Sequence, residues 1–416
     1  MSVEAPVFEE AQVEVEPARG PMDWARKNLF NTWYNALLTL VLAAGAIWAL
    51  LTLVRWLLGV DFEIIRRNLR LFMIGGDFPA DQLWRPWTAT YLIAVLIGVV
   101  AGAVAAGARD RARESGLPLS RTTLRQILLR FWPIIALVVI ILAFTTTITP
   151  TLLAIGVGVV GTASYYLGRV LPRAVRRWTW LIALLLLVAT YLALAGFGGV
   201  GWEDWGGLQL NLFLTVAGIL FAFPLGLLLA MGRRSSLPVI RTISVGYIEF
   251  VRGVPLITLL LAGAFALGFL IPSDLRPGLV TRMLIAITAF EAAYIAEVVR
   301  GGFQAVPHGQ VEAAQAVGLA PWKTMRLIVL PQALRATIPA MVGQFISLFK
   351  DTTLVAILGV TELLDATFIV NTQADFLGEG LFVLTLGFAA LVFWVGSFTM
   401  SRESRRLERR LGVGER

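Results

Sequence analysis

The sequence of 416 residues contains no cysteine and a single histidine, His308. Disulfides, thiolate metal sites and thiol nucleophiles are therefore excluded, and one imidazole cannot by itself hold a metal ion. Also missing are the G-x-x-x-x-G-K-[ST] loop that cradles nucleotide phosphates and the H-E-x-x-H and G-x-S-x-G signatures of hydrolases. Charge is scarce: Asp, Glu, Lys and Arg make up 15% of positions against 57% hydrophobic residues, a balance beyond that of soluble globular chains. What is abundant is apolar sequence, and the chain reads as an all-α integral membrane protein. Its net charge of +8 does not point to nucleic acid, because the basic residues sit in short clusters beside apolar runs, where membrane orientation accounts for them.

Residues 1–32 open with MSVEAPVFEEAQVEVEPARG, acidic, proline-containing and without an apolar core. This is neither a secretory signal nor a transit peptide, and the segment is expected to be a disordered cytoplasmic tail. Apolar runs near the ~20 residues needed to span hydrocarbon follow at about 33–57, 88–108, 131–148, 151–168, 178–199, 209–231, 253–271, 280–299, 340–358 and 381–400. Continuous rather than alternating apolarity predicts helices, about ten crossings in all, the third and fourth forming a hairpin around Pro150. An even number puts both termini on one side. With the amino terminus inside, 27 of the 35 Lys and Arg fall in cytoplasmic segments, so both termini are expected there. Arg66, Arg67, Arg70 and Arg85 run against this count, in an outer loop at 58–87 that also carries Asp61, Glu63, Asp77 and Asp81.

The chain divides near residue 205. The extension 33–205, with about five crossings, holds no charge deep in lipid, and its Gly98 and Gly102 permit close helix contact. Beyond it, Glu249, Arg252, Glu291, Glu297, Lys350 and Asp351 enter or border the apolar segments, which points to function in 206–412. Lys350 and Asp351 should pair, face a polar cavity or sit at a helix irregularity, since either charge buried alone is costly. Arg252, Glu297 and Arg300 are expected to form a structural ionic cluster, and Glu249 and Arg252, three apart, are spaced to satisfy each other. Glu362, Asp365, Asp375 and Glu379 read as an acidic outer loop, either a docking edge or simply solvated.

Between the eighth and ninth runs lies VEAAQAVGLAPWKTMRLIVLP, Val311–Pro331, too polar to cross. Helical spacing puts Ala313, Ala314, Val317 and Gly318 on one smooth face and Glu312 and Gln315 on another. Gly318 suits a left-handed helix end and Pro321 the first turn of a second helix, with Trp322, Met325 and Val329 as its apolar stripe. Pro331 and Pro339 are expected to break or bend the chain before the next crossing. So short a helix needs a surface to lie on, either a soluble partner or its own bundle.

Glu312-Ala313-Ala314, then Gly318, Ile328, Leu330 and Pro331, at every spacing, resemble the EAA loop of permease subunits of ATP-binding-cassette importers. LQLNLFLTVAGILFAFPLGLLLAMGRRS, FVRGVPLITLL, AAYIAEVVRGGFQAVPHGQVEAAQAVG and LPQALRATIPAMVGQFISLFKDTTLVAILGVTELL resemble the polar amino-acid branch, which includes histidine and glutamine importers. The long extension is similar to that of general L-amino-acid permease subunits. One departure is Thr353, where many relatives carry Ser; it preserves a hydroxyl.

The resemblance implies a five-helix type I importer core with a cytoplasmic coupling loop at 301–339, in the bacterial inner membrane. It also implies partners: a cytoplasmic ATPase dimer that carries the ATP and Mg absent from this chain, a second permease subunit and a periplasmic amino-acid-binding protein. A zwitterionic substrate needs complementary charges, so Lys350, Asp351, Thr352, Thr353 and Glu291 are candidates for the pathway; the competing reading of Lys350 and Asp351 is a salt bridge fixing helix register. A self-sufficient secondary transporter or channel is the alternative function, since charged, broken helices also serve those; a membrane-embedded enzyme lacks any evident base or nucleophile constellation.

Overall fold

The computed structural model describes residues 20–116, 124–378 and 380–411, which form two compact units divided at Asp61 and Phe62. In the first unit α1 (Pro21–Asn28) precedes α2 (Trp33–Gly59). Pro21 stands in the first turn of α1, where its missing N–H costs nothing. The Thr32 hydroxyl accepts from Asn35 N at 3.4 Å and caps α2, whose 27 residues are mostly apolar. The expected tail to residue 32 is therefore too long, since 21–28 are helical; residues 1–19 lie outside the described residues.

The second unit contains α3 (Glu63–Ile74), α4 (Trp84–Glu114), α5 (Leu124–Ala143), α6 (Thr149–Val170), α7 (Arg173–Arg176) and α8 (Thr179–Ala195). It continues with α9 (Gly207–Arg233), α10 (Pro238–Gly253), α11 (Leu256–Leu261), α12 (Gly268–Leu270) and α13 (Leu279–Ala305). Then come α14 (His308–Ala316), α15 (Pro321–Thr324), α16 (Leu330–Asp351), α17 (Leu363–Asn371) and α18 (Phe382–Leu411). Across both units seven of the described helices are long and apolar enough to cross a membrane. An eighth candidate is the pair 238–253 and 256–270, bent by 107°, and shorter apolar helices occupy 129–143 and 179–195. The apolar run expected at 253–271 is occupied by helix 256–270, and the bend lies at its start: Pro255 supplies no N–H to continue α10, and a π turn over Ala262–Leu267 joins α11 to α12. The third run ends at Ala143, and its helix packs on α18 through Arg130, whose Nε lies 3.0 Å from both carboxylate oxygens of Glu403.

At the far end of this unit α3 packs against α9 and α17, burying Ile64, Ile65 and Phe72. The four arginines that contradict the charge count are all engaged there. Arg67 bridges Glu63 at 2.8 Å and Asp375 at 3.0 Å, Arg66 reaches Glu63 at 3.5 Å, and Arg70 donates to the Phe78 carbonyl. Arg85 is buried and donates to the carbonyls of Ala193, Gly196 and Phe197 at the end of α8, satisfying groups that a helix terminus leaves unpaired. Segment 62–83 therefore lies at the same end as 197–207 and 361–378, and α9 and α13 carry the chain from there to the opposite, coupling end.

Close contact in the extension follows from its glycines. A Cβ on Gly98 would stand 2.5 Å from the Gly161 carbonyl oxygen and one on Gly102 2.2 Å from that of Tyr165, so α4 and α6 touch backbone to backbone. Two apolar clusters fill the remainder. One, with Leu210, Leu214, Met283, Ile287 and Leu348, sits toward the far end; the other, with Ala222, Ile248, Ile295, Val299 and Ala333, sits toward the coupling end. The second unit spans Phe62–Arg416, so the boundary at 205/206 separates compositions and not packed bodies.

Candidate functional site

Segment Val311–Pro331 is built from its glycine and prolines. α14 ends where Gly318 adopts φ +79°, with Gly318 N bonding Gln315 O at 2.9 Å and Leu319 N returning to Ala314 O at 3.0 Å. A side chain at a left-handed position is strained, and no atom lies within 4 Å of a Cβ placed there, so the residue faces open space. Ala314 alone of the smooth face is buried; Ala313, Val317 and Gly318 are exposed, as are Glu312 and Gln315. Val317, Trp322 and Leu327 are 76%, 61% and 60% exposed, large apolar groups left uncovered by their own bundle. Ile328 and Leu330 are half-buried and Pro331 is exposed. Gln332 Nε2 lies 3.4 Å from Gln310 Oε1, fastening α14 to the start of α16.

Of the break or bend expected at Pro331 and Pro339, the break does not occur. Helix runs from Pro321 to Leu358 by way of a π turn over Met325–Val329, with Pro339 inside α16. A π turn ahead of a proline displaces the carbonyl that its ring would strike, so the prolines are absorbed without ending the helix. The ionic cluster joins α9, α10 and α13. Arg300 Nε is 2.9 Å from both oxygens of Glu297, and Arg233 and Arg252 each approach that carboxylate at 3.6 Å. Glu249 pairs with Arg233 at 2.9 Å rather than with Arg252, which instead lies over the Tyr294 ring at 5.7 Å.

The polar centre lies in the far half. Glu291 is buried on α13, and its Oε1 has no hydrogen-bond partner. Asp351 is close enough to act on it electrostatically and is itself bonded to Ser347. Lys350 is exposed and, among the described residues, forms no ion pair with Asp351; the register-fixing salt bridge is absent, and both residues sit where α16 tightens into the 3₁₀ turn Thr352–Leu358. Thr353 Oγ1 donates to Lys350 O at 2.8 Å. Thr352 is fully buried, donating to Phe349 O at 2.7 Å and accepting from Asn211 Nδ2 at 3.0 Å.

Asn211 also donates to Glu362 Oε2 at 2.9 Å and accepts from Leu363 N at 3.1 Å. Glu362, read from sequence as part of a solvated acidic loop, is instead buried and caps α17 by accepting from Asp365 N at 2.8 Å. Burial pushes its carboxyl above the usual glutamate range, against the Leu364 backbone, Asn211 and the Asp365 backbone, which pull it down. Of its proposed companions, Asp375 is exposed and Glu379 lies outside the described residues.

Residues 222–413 match the family model described as "Binding-protein-dependent transport system inner membrane component". Over 94% of both chains the sequence is 36% identical to the glutamate/glutamine/aspartate/asparagine transport system permease protein BztC of Rhodobacter capsulatus, and, again over 94% of both, 34% identical to the inner membrane amino-acid ABC transporter permease protein YhdY of Escherichia coli. The chain belongs to the permease family of amino-acid ABC transporters. A solved amino acid ABC transporter with histidines is 29% identical over 49% of the permease and 91% of that chain, at a TM-score of 0.44. GlnP of Bacillus subtilis, a probable glutamine permease, is 34% identical over 49% of this chain and 91% of its own, so a half-length permease exists without an equivalent of the other half.

Sequence reasoning passed over Asn211 and Arg233. In the permease Asn211 is one of two amides, with Gln209, inside the otherwise apolar LQLNLFL, a signal of a buried hydrogen-bond hub that was legible had it been weighed with the charged residues. Arg233 carries no such mark, because at the end of a crossing it is indistinguishable from an orienting charge until Glu249 and Glu297 are seen beside it.

Proposed function

We propose that this chain is the translocation subunit of an ATP-driven importer of L-amino acids, broad in side-chain tolerance and seated in the bacterial inner membrane. The observation that carries this reading is the full-length relationship to two amino-acid permeases, extension included. Hydrolysis of ATP with Mg takes place on a cytoplasmic ATPase dimer, whose surface receives α14 and the uncovered Val317 and Trp322. Glu312, Ala313, Ala314 and Gly318 meet the ATPase, and Ile328, Leu330 and Pro331 pass its motion into α16. A periplasmic binding protein delivers substrate, and a second, related permease supplies the other half of the pathway. The coupling end and both termini face the cytoplasm, in keeping with the arginines of 109–177 and 402–409.

Substrate passes the polar centre. An amino acid carries both charges, and Lys350 suits its carboxylate while Asp351 and the unpartnered Glu291 suit its ammonium group. Thr353 lines the same turn, and Thr352, buried against Asn211, acts by holding that turn in place. Arg252, Glu297 and Arg300 serve as a structural cluster that ties α10 to α13. The test is uptake of a panel of labelled amino acids by cells deleted for this gene and complemented with wild type, Glu291→Gln or Asp351→Asn. Wild type should restore uptake of several amino acids, and each variant should lower it about tenfold, the cost of roughly 1.4 kcal/mol of lost charge-assisted contact, at unchanged membrane levels. Normal uptake by both variants would remove the polar centre from the pathway.

A further inference from the structure

At the α14 end of the second unit a shallow, open depression of about 480 Å³ lies between the last turns of α4, the short α7 and the start of α8. Arg111, Arg173, Arg176 and Arg177 line it, with Asp110 and Glu114 as its only acidic groups. Both carboxylates are already engaged: Asp110 with Arg173 at 3.1 Å and with Arg176, Glu114 with Arg173 at 3.0 Å. Four guanidinium groups against two carboxylates leave an excess of two positive charges. Among the described residues neither Arg111 nor Arg177 has an acidic partner, and the buried Nε of Arg176 has no hydrogen-bond partner. Arg177 lies over the Trp178 ring at 5.6 Å, which holds its planar group at the rim.

The floor of the depression is apolar, and it opens toward the lipid-facing side chain of Val104, 63% exposed. Trp178 and Trp180 stand exposed beside it, the residue type that settles at headgroup depth. An arginine rim over an apolar wall, at the depth where α4 and α8 leave the bilayer, matches an amphiphile with an anionic head. A charge that merely orients the chain needs neither the depression nor the floor. We propose that this depression binds the phosphate headgroup of an anionic phospholipid, with Arg111 and Arg177 donating to the phosphate and the Val104 wall following an acyl chain. Asp110 holds Arg173 and Arg176 in place, and guanidinium forks suit a phosphate better than ammonium groups do.

The test is intact-protein mass spectrometry of the full-length permease released from detergent, titrated separately with phosphatidylglycerol, phosphatidylcholine and inorganic phosphate. Wild type should retain phosphatidylglycerol well above phosphatidylcholine. Arg111→Ala/Arg177→Ala should lower phosphatidylglycerol occupancy roughly tenfold and leave phosphatidylcholine unchanged. Arg109→Ala/Arg113→Ala, which removes equal charge outside the lining of the depression, should keep the preference. The proposal is overturned by equal retention of the two lipids, by an unchanged double variant, or by equal loss in the two double variants, which would mean diffuse charge. Inorganic phosphate binding as tightly as the lipid would make the ligand a soluble anion and overturn the lipid assignment. All four arginines are exposed, so the variants should fold, and unchanged thermal midpoints verify it.

Discussion

Asn211 carries more structure than any charged residue near it. One buried amide joins α9 to the 3₁₀ turn after α16 and to the cap of α17, through Thr352, Glu362 and Leu363 N. Asn211→Ala would orphan a buried carboxylate oxygen and a buried backbone donor, each worth about 1–3 kcal/mol, so a fall in the thermal midpoint of the purified protein is expected, larger than for Thr353→Ala at the exposed neighbouring hydroxyl. Glu362 adds a pH dependence. Its folded carboxyl titrates above the ordinary value because it is buried, so its stabilising contribution is complete below the unfolded value and is lost as pH rises through the folded one. As pH rises past the ordinary glutamate range the midpoint of wild type should therefore fall relative to that of Glu362→Gln; a relative rise would contradict the assignment. Sequence showed that Lys350, Asp351 and Glu291 were out of place in lipid, because composition alone reveals that. That Lys350 and Asp351 do not pair follows from helical spacing, since adjacent residues do not face each other; what each meets instead is decided by tertiary contacts, which sequence does not show.

At the scale of elements, apolar length located nearly every crossing, since the bilayer sets a minimum run. It located 256–270 but missed the bend of 107° with the amphipathic helix 238–253 before it: hydropathy counts apolar residues and is blind to the direction of the chain. Between the break and the bend open at Pro331 sequence could not choose, because a π turn that carries a helix past a proline has no sequence mark. The Gly98 and Gly102 spacing, by contrast, was read correctly as close packing, since only absent side chains let backbones meet. That contact is testable in a chain without native cysteine. The Ala94 Cβ and a Cβ placed on Gly161 are 3.6 Å apart, inside the range a disulfide needs. Ala94→Cys/Gly161→Cys should crosslink on mild oxidation, and adding Gly102→Val, which drives a side chain into the Tyr165 carbonyl, should abolish the crosslink. Persistence of the crosslink would show that α4 and α6 tolerate separation.

At the scale of the molecule, the sequence division at 205/206 is crossed by contacts that matter. Arg67 reaches Asp375, Asn68 pairs reciprocally with Gln373, Glu203 accepts from Val280 N at 2.9 Å and Thr281 N at 3.0 Å, and Arg130 holds Glu403. The helices from α3 to α8 thus brace the permease core at both ends, a role no local pattern could reveal because every partner is distant in sequence. The segment Val311–Pro331 was legible in part for the opposite reason: its glycine and small residues are local devices with local meanings. The central claim is that α14 is the point where an ATPase acts on this chain. It is tested by amino-acid uptake and ATPase pull-down in cells carrying Gly318→Asp. Aspartate tolerates a left-handed backbone better than most residues and meets no atom of its own chain there, so the variant should insert normally. The account predicts loss of both ATPase binding and uptake at normal membrane levels; normal uptake with the ATPase still bound would contradict it.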